Sequence, residues 1–212
     1  MKKITLILFA AIFAAGILSG CGSSQNNASI STSGTKSELL STSYADMMKS
    51  GKYLMHYKTK TTVSNQIVIS DTTMATDGKS TSINGVTGEE KMHIIMKDSK
   101  VYIINDKDKT YMKIEMPKTG SNQSNVSTDI VETAGLTYLG KGKETLNGKE
   151  MDYEEYKTDE GTMRYYFNGN KLYSIGIKSG ESELVMEIIE ISDKVTADMF
   201  AVPSGYTEKS LN

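Results

Sequence analysis

Hydrophobic and polar positions along this chain change their period twice. From Ile4 to Leu18 the residues are apolar or small without a break. Further on, Leu39, Leu40, Tyr44, Met47 and Met48 recur three and four apart, the spacing of one face of a helix. Thr35 stands before them as an N-cap with Glu38 three residues on, and Gly51 supplies a stop. The pattern predicts an amphipathic helix over 37–50, which needs a surface to cover. From Lys52 onward the period drops to two, the mark of strands.

In "KYLMHYKTKT", Tyr53, Met55 and Tyr57 fall on one face, and Leu54, His56 and Lys58 on the other. "NQIVISDTTMAT" and "KSTSING" are more polar, while "KMHIIMK", "KVYIIND" and "TYMKIEM" alternate clearly. A loop follows, leading to a short helix near Asp129–Ala134. The second half resumes with "LTYLGKGKETL", "KEMDYEEYKT", "TMRYYFN", "KLYSIGIKS" and "ESELVMEIIEIS", parted by Asn147-Gly148, Glu160-Gly161, Asn168-Gly169-Asn170 and Ser179-Gly180. Each separator offers the positive φ of a tight hairpin.

In "ELVMEIIEI" both faces are apolar, with Leu184, Met186 and Ile188 on one and Val185, Ile189 and Ile191 on the other, so this strand is covered on at least part of both sides. About ten antiparallel strands in one meander follow from the hairpin signals, and a sheet of that size curls. The expected class is α+β, mainly β: a large curved antiparallel meander, an open half-barrel. The N-terminal helix and the short mid-chain helix cover its concave face.

The first apolar run has another meaning. Lys2 and Lys3 precede it and small residues follow it, the anatomy of an export signal. It is shorter than the about 20 residues that span a bilayer. Leu18-Ser19-Gly20-Cys21 resembles the bacterial lipobox residue for residue. That resemblance implies cleavage before Cys21 and lipid attachment at its sulfur, a diacylglyceryl thioether with palmitate-class acyl chains. Cys21 is the chain's one cysteine, so no disulfide competes for it. Two or more acyl chains hold a protein on a membrane surface durably, whereas one does not.

The resulting organisation is a signal peptide at 1–20, a lipidated tether at 21–35 and a domain at 36–212. "GSSQNNASISTSGT" carries no charge and is rich in Ser and Asn, a flexible linker composition. Losing Lys2 and Lys3 turns 24 basic residues into 22 against 26 acidic ones, a balance of -4. No basic field is left for nucleic acid. The expected location is the extracytoplasmic face of a cell membrane, through the lipid anchor.

Catalytic signatures are absent. His56 and His93 are the two histidines, and no His-x-x-x-His, Cys-x-x-Cys or Gly-x-Ser-x-Gly pattern occurs. Asp152, Glu154, Glu155, Asp159 and Glu160 crowd one stretch, but they lack the loop of a calcium site. In a strand Glu154 and Glu155 point to opposite faces, so this reads as a charged solvent face and turn. No enzyme activity, no metal and no cofactor are expected.

The chain ends "VTADMFAVPSGYTEK", where Asp198, Phe200, Pro203, Gly205 and Tyr206 form an acidic residue, a Phe and a Pro-x-Gly-Tyr turn. With the lipobox, tether, leading helix and long meander, this ending resembles the lipoprotein-carrier (LolA-like) superfamily. That group includes mycobacterial lipid-carrying lipoproteins and the sensory domains that restrain envelope-stress anti-sigma factors. The resemblance implies a lipid or other hydrophobic ligand, an acyl chain above all. Its alternative is an envelope sensor that binds a protein partner and has no cavity.

Composition bears on the choice. Trp is absent, while 12 Tyr and, without the initiator, 12 of the 13 Met remain. Methionine suits a wall that fits acyl chains of varied shape; ordinary core filling is the competing reading. The candidate ligand-binding residues are Tyr53, Met55, Tyr57, Met92, Ile94, Met96, Tyr165 and Phe167.

Overall fold

The computed structural model describes residues 39–63, 66–116, 136–158, 161–180 and 182–210. The signal segment, Cys21, the tether, the Thr35/Glu38 capping pair and the helix expected near Asp129–Ala134 lie outside these residues.

The period-two runs form strands where the alternation predicts them: β1 (Lys52–Val63), β2 (Gln66–Asp77), β3 (Thr81–Thr87), β4 (Glu90–Lys97), β5 (Lys100–Asn105), β6 (Thr110–Glu115), β7 (Thr137–Leu146), β8 (Lys149–Lys157), β9 (Thr162–Asn168), β10 (Lys171–Ser179) and β11 (Ser182–Ser192). A two-residue strand, β12 (Thr207–Glu208), completes one open sheet in the order β12-β6-β5-β4-β3-β2-β1-β11-β10-β9-β8-β7. All pairings are antiparallel except β12 with β6. The class is mainly β, with one described helix, α1 (Ser41–Lys49), and a 3-10 turn at Ala197–Phe200.

The topology corrects the single meander. Strands β1 to β6 make one meander and β7 to β11 another, and β1 pairs with β11 to join them. The chain thus leaves β6 near one edge and re-enters at β7 on the other. Alternation fixes which face a residue takes, but it carries no signal for a pairing between strands 120 or more residues apart.

The turns obey local chemistry. Asn147 and Gly148 both have positive φ (53 and 77°), as a two-residue hairpin of the primed type requires. Asp98 and Ser99 do the same without a glycine (53 and 58°). Gly161 serves a different purpose from the expected left-handed turn. A Cβ there would run into the carbonyl oxygen of Lys178, so glycine permits two backbones to approach.

The two faces are covered by different segments. On one, α1 packs with Ser41, Ala45 and Met48 buried. On the other, Phe200 is buried against Ala75, Ile95 and Ile104, with Val195, Met199, Val202 and Tyr206 packed around it. The C-terminal motif is therefore a clasp for the second face. Gly205 takes φ 82°, and the Tyr206 hydroxyl donates to Asp106 Oδ1 at 2.9 Å. β12 then seals the β6 edge, where Lys113 Nζ meets Glu208 at 3.1 Å.

Candidate functional site

Register brings the eight candidate residues onto one face, the one that carries α1. Met55 of β1 opposes Met74, which opposes Ile83, Ile94, Ile103 and Met112 in turn, while Ile191 of β11 opposes Met55 from the other side. Seven apolar side chains on seven adjacent strands thus form one row. Tyr53 lines up with Thr76, Thr81 and Met96, and Tyr57 with Thr72, Gly85 and Met92. Through Thr59, Met186 and Ile175 the same parity reaches Tyr165, with Phe167 two residues on.

Burial divides the eight. Tyr53, Met55 and Tyr165 are fully buried and Phe167 is 1% exposed, whereas Tyr57, Met92, Ile94 and Met96 are half-buried. Ile103 and Met112 are also half-buried, and Ile114 is 37% exposed. The face is therefore closed around β1 and β9 and partly open from β4 to β6. Burial raises the pKa of Tyr57 above 10, against the hydrogen bond from Thr72.

A bulge moves one apolar residue onto this face. His56 opposes Glu190 and Tyr57 opposes Ile188, so Ile189 is an extra residue in β11. The inserted residue flips parity. Ile191 consequently shares a face with Ile188 and Met186, against the simple alternation that paired it with Val185.

The helix is anchored by a residue that reads in sequence as surface charge. Glu154 of β8 is 4% exposed. Its Oε1 accepts from the Leu40 N–H at 2.7 Å and its Oε2 from the Ser41 N–H at 3.1 Å. These are orphan donors of the first helical turn, and Leu40 itself gives no side-chain cap. The carboxylate also suits the positive end of the helix dipole. Tyr156 donates to Glu154 Oε2 at 3.3 Å and lies 2.6 Å from Ser41 Oγ. At the helix's other flank Tyr44 packs on Phe167 with ring centres 6.2 Å apart, accepts from the Leu172 N–H and donates to the Asn170 carbonyl. Glu155, one residue on, points to the opposite face as expected and holds Arg164 Nε at 3.0 Å. Arg164 also reaches Glu144 at 2.8 Å, a fork that a lysine could not make.

Two tyrosines sit under the helix with displaced pKa values. Burial pushes Tyr156 up from 10 to about 12, opposed by its hydrogen bond with Ser41 and reinforced by the Glu154 charge. A raised folded value stabilises the protein fully below pH 10, and that contribution is lost as pH rises through the folded value. Stability is expected to fall by about 2–3 kcal/mol between pH 10 and 12 from this group. Alkaline denaturation should show a shallower decline over that window in Tyr156→Phe.

Tyr165 is raised further by burial, then by the Tyr156 and Glu154 charges. Its hydroxyl is the one buried side-chain polar atom without a hydrogen-bond partner among the described residues. Burying an unpaired hydroxyl costs about 1–3 kcal/mol. Tyr165→Phe is therefore expected to raise stability by about 1 kcal/mol in chemical denaturation; a loss of stability would show that the hydroxyl has a partner.

Both histidines lie on the opposite face, as the alternation predicts. His56 Nε2 pairs with Asp71 at 2.7 Å and His93 Nδ1 lies 3.7 Å from Asp106. Neither faces the apolar row. A partly open cleft of ≈ 110 Å³ also lies on that face, lined by Leu54, Thr73, Ala75, Ser82, Asn84 and Met199. It is small beside the roughly 300 Å³ at which ligand pockets begin, and it contains none of the eight residues. Among the described residues no helix is long and apolar enough to cross a membrane.

No family model matches the chain, and no curated protein matches it. Among solved structures it is similar to an uncharacterized conserved protein from Thermus thermophilus, at 8% identity over 80% of this chain and 99% of that one, with a TM-score of 0.43. A LolA superfamily protein from Nitrosomonas europaea is similar at 8% identity, over 70% of this chain and 89% of that one, with a TM-score of 0.35. A putative outer membrane lipoprotein-sorting protein domain from Vibrio parahaemolyticus follows at 6% identity, over 74% and 95% of the two chains, with a TM-score of 0.32. The functional reading rests on this chain's own residues.

Proposed function

We propose that this chain is a lipid-anchored binding protein on the extracytoplasmic face of a membrane. It holds a hydrophobic ligand on the helix-bearing face of its sheet and carries out no covalent chemistry. The observation that carries the reading is the apolar row from Met55 to Met112, buried at one end and half-buried at the other. From Ile83 to Met112 it crosses three strand spacings, roughly 14 Å. That is about half the 30 Å hydrocarbon thickness of a bilayer, one leaflet's acyl length. Met112 ends it, and Met92 and Met96 flank it, with side chains that adapt to varied shapes. Cys21 and the lipobox supply the anchor.

Native mass spectrometry of the protein purified from membranes is expected to show a bound lipid in addition to the acyl group on Cys21. Fluorescent fatty acids are expected to bind, and to bind at least tenfold more weakly to Ile94→Glu. No co-purified lipid together with no fatty-acid binding would end the carrier reading. Cys21→Ser, which should release the protein from the membrane fraction, tests the anchor separately.

The alternative, a sensor that docks a protein partner on a sheet edge, has β7 to work with. That strand carries a bulge between Tyr138 and Gly140 and the charges Lys141, Lys143 and Glu144. Such features blunt an edge against pairing. The edge therefore favours the ligand reading.

A further inference from the structure

We propose that the end of the β1–β2 hairpin is a membrane-contact finger, which sets Ile67 and Ile69 into the interface of an anionic bilayer. β1 and β2 pair without a break out to Val63 and Gln66. Their neighbours stop earlier: β3 pairs β2 no further than Ser70, and β11 pairs β1 no further than Lys60. Beyond those residues the hairpin continues as a two-stranded ribbon, an arrangement of marginal stability in water.

The ribbon carries the chain's most exposed large hydrophobics among the described residues, Ile67 at 60% and Ile69 at 57%. Val86, 40% exposed, lies on the same face beside Asp71. Lysines border this apolar group. Lys60 opposes Ile69, Lys91 opposes Val86 and Lys58 opposes Asp71. Asp71 takes up Lys58 at 3.6 Å and His56 at 2.7 Å. Lys60 and Lys91 have no ion-pair partner among the described residues. Exposed isoleucines rimmed by free lysines match a bilayer surface with anionic headgroups.

Tether length agrees with this occupant, an argument that rests on the anchor proposed above. The described chain begins beside Glu154, whose register line runs through Tyr165, Ile175 and Met186 to Thr59 of β1. Five strand spacings, from β8 to β2, and three residues along the strands separate that point from Ile67, roughly 26 Å over the sheet. The proposed tether at 21–35 has the composition of a flexible linker, and fifteen such residues span roughly 19–23 Å on average and about 50 Å at full stretch. An anchor at Cys21 therefore permits Ile67 and Ile69 to reach the same membrane.

The test uses the full acylated chain in vesicles. With Cys21 acylated, Ile69→Cys offers one thiol for an environment-sensitive dye, and Lys149→Cys, at the opposite end of the strands, serves as the control. In vesicles of phosphatidylglycerol and phosphatidylcholine, the dye at 69 is expected to brighten several-fold and to be quenched by spin-labelled lipids, while the dye at 149 is not. Lys60→Gln with Lys91→Gln is expected to lower the inserted fraction about 30-fold relative to the free one. A dye at 69 that stays in water on these vesicles overturns the proposal. So does a response that appears without vesicles and grows with protein concentration, which would identify a second copy as the occupant. Two dyes per chain would instead report an unacylated Cys21 and the failure of the anchor; the Cys21→Ser chain then decides the finger by the same readouts.

Discussion

Phe200→Ala is expected to lower the stability of the folded domain by about 3–5 kcal/mol, the cost of emptying a buried phenylalanine site. Phe200 is 5% exposed and sits on Ala75, Ile95 and Ile104. Its partners on the tail, Val195, Met199, Val202 and Tyr206, are half-buried, so they hold the clasp weakly without it. Chemical denaturation would measure the loss, and the Tyr206–Asp106 and Lys113–Glu208 contacts would loosen with it. The variant should keep its affinity for a hydrophobic ligand under conditions where it remains folded. Phe200 faces away from the row of Met55, Ile94 and Met112, and each face is packed by its own segment. An affinity that fell with stability would mean that the ligand uses the second face.

Glu154→Ala acts on the other face and is expected to change both quantities. It strands the N–H groups of Leu40 and Ser41, one part-buried and one buried, and takes the acceptor from Tyr156. A buried donor left without its partner costs about 1–3 kcal/mol, and bonds to charged groups are the stronger ones. The expected loss is about 3 kcal/mol in chemical denaturation. Glu154→Gln keeps one acceptor oxygen and should lose about half as much. Because the carboxylate fixes the start of α1 over β8 and β9, ligand affinity should fall together with stability. A variant with wild-type stability would show that the helix is held by Tyr44 and Met48 alone.

Much of this architecture follows from local signals. The strands from Lys52 to Ser192 appear where alternation and turn residues put them, because both signals depend on near neighbours along the chain. The shared face of Tyr53, Met55, Tyr57, Met92, Ile94 and Met96 follows from successive hairpin registers for the same reason, whereas Tyr165 and Phe167 join it only through the pairing of β1 with β11. Non-local choices were not legible. Nothing in β1 or β11 announces that they pair, and the extra residue at Ile189 looks like ordinary alternation until Glu190 and Ile188 are seen opposite His56 and Tyr57.

Glu154 shows the limit most clearly. In "DYEEYK" it is one carboxylate among several, and its role depends on a helix start 114 residues earlier in the chain. The tail motif reads in sequence as a family-like ending, and in the structure it does physical work. Its Phe closes the second face and its Gly-Tyr turn ties back to Asp106. The residues of the candidate face were in view from the pattern, but its division into a closed end and a half-open end needed the packed structure.

The most direct measurement is photocrosslinking of a diazirine fatty acid to the full chain, followed by peptide mapping. The account predicts adducts on β4 to β6, at Met92, Ile94, Met96, Ile103 and Met112, with none in the cleft between Leu54, Thr73 and Met199. Adducts confined to that cleft, or no saturable labelling at all, would contradict it.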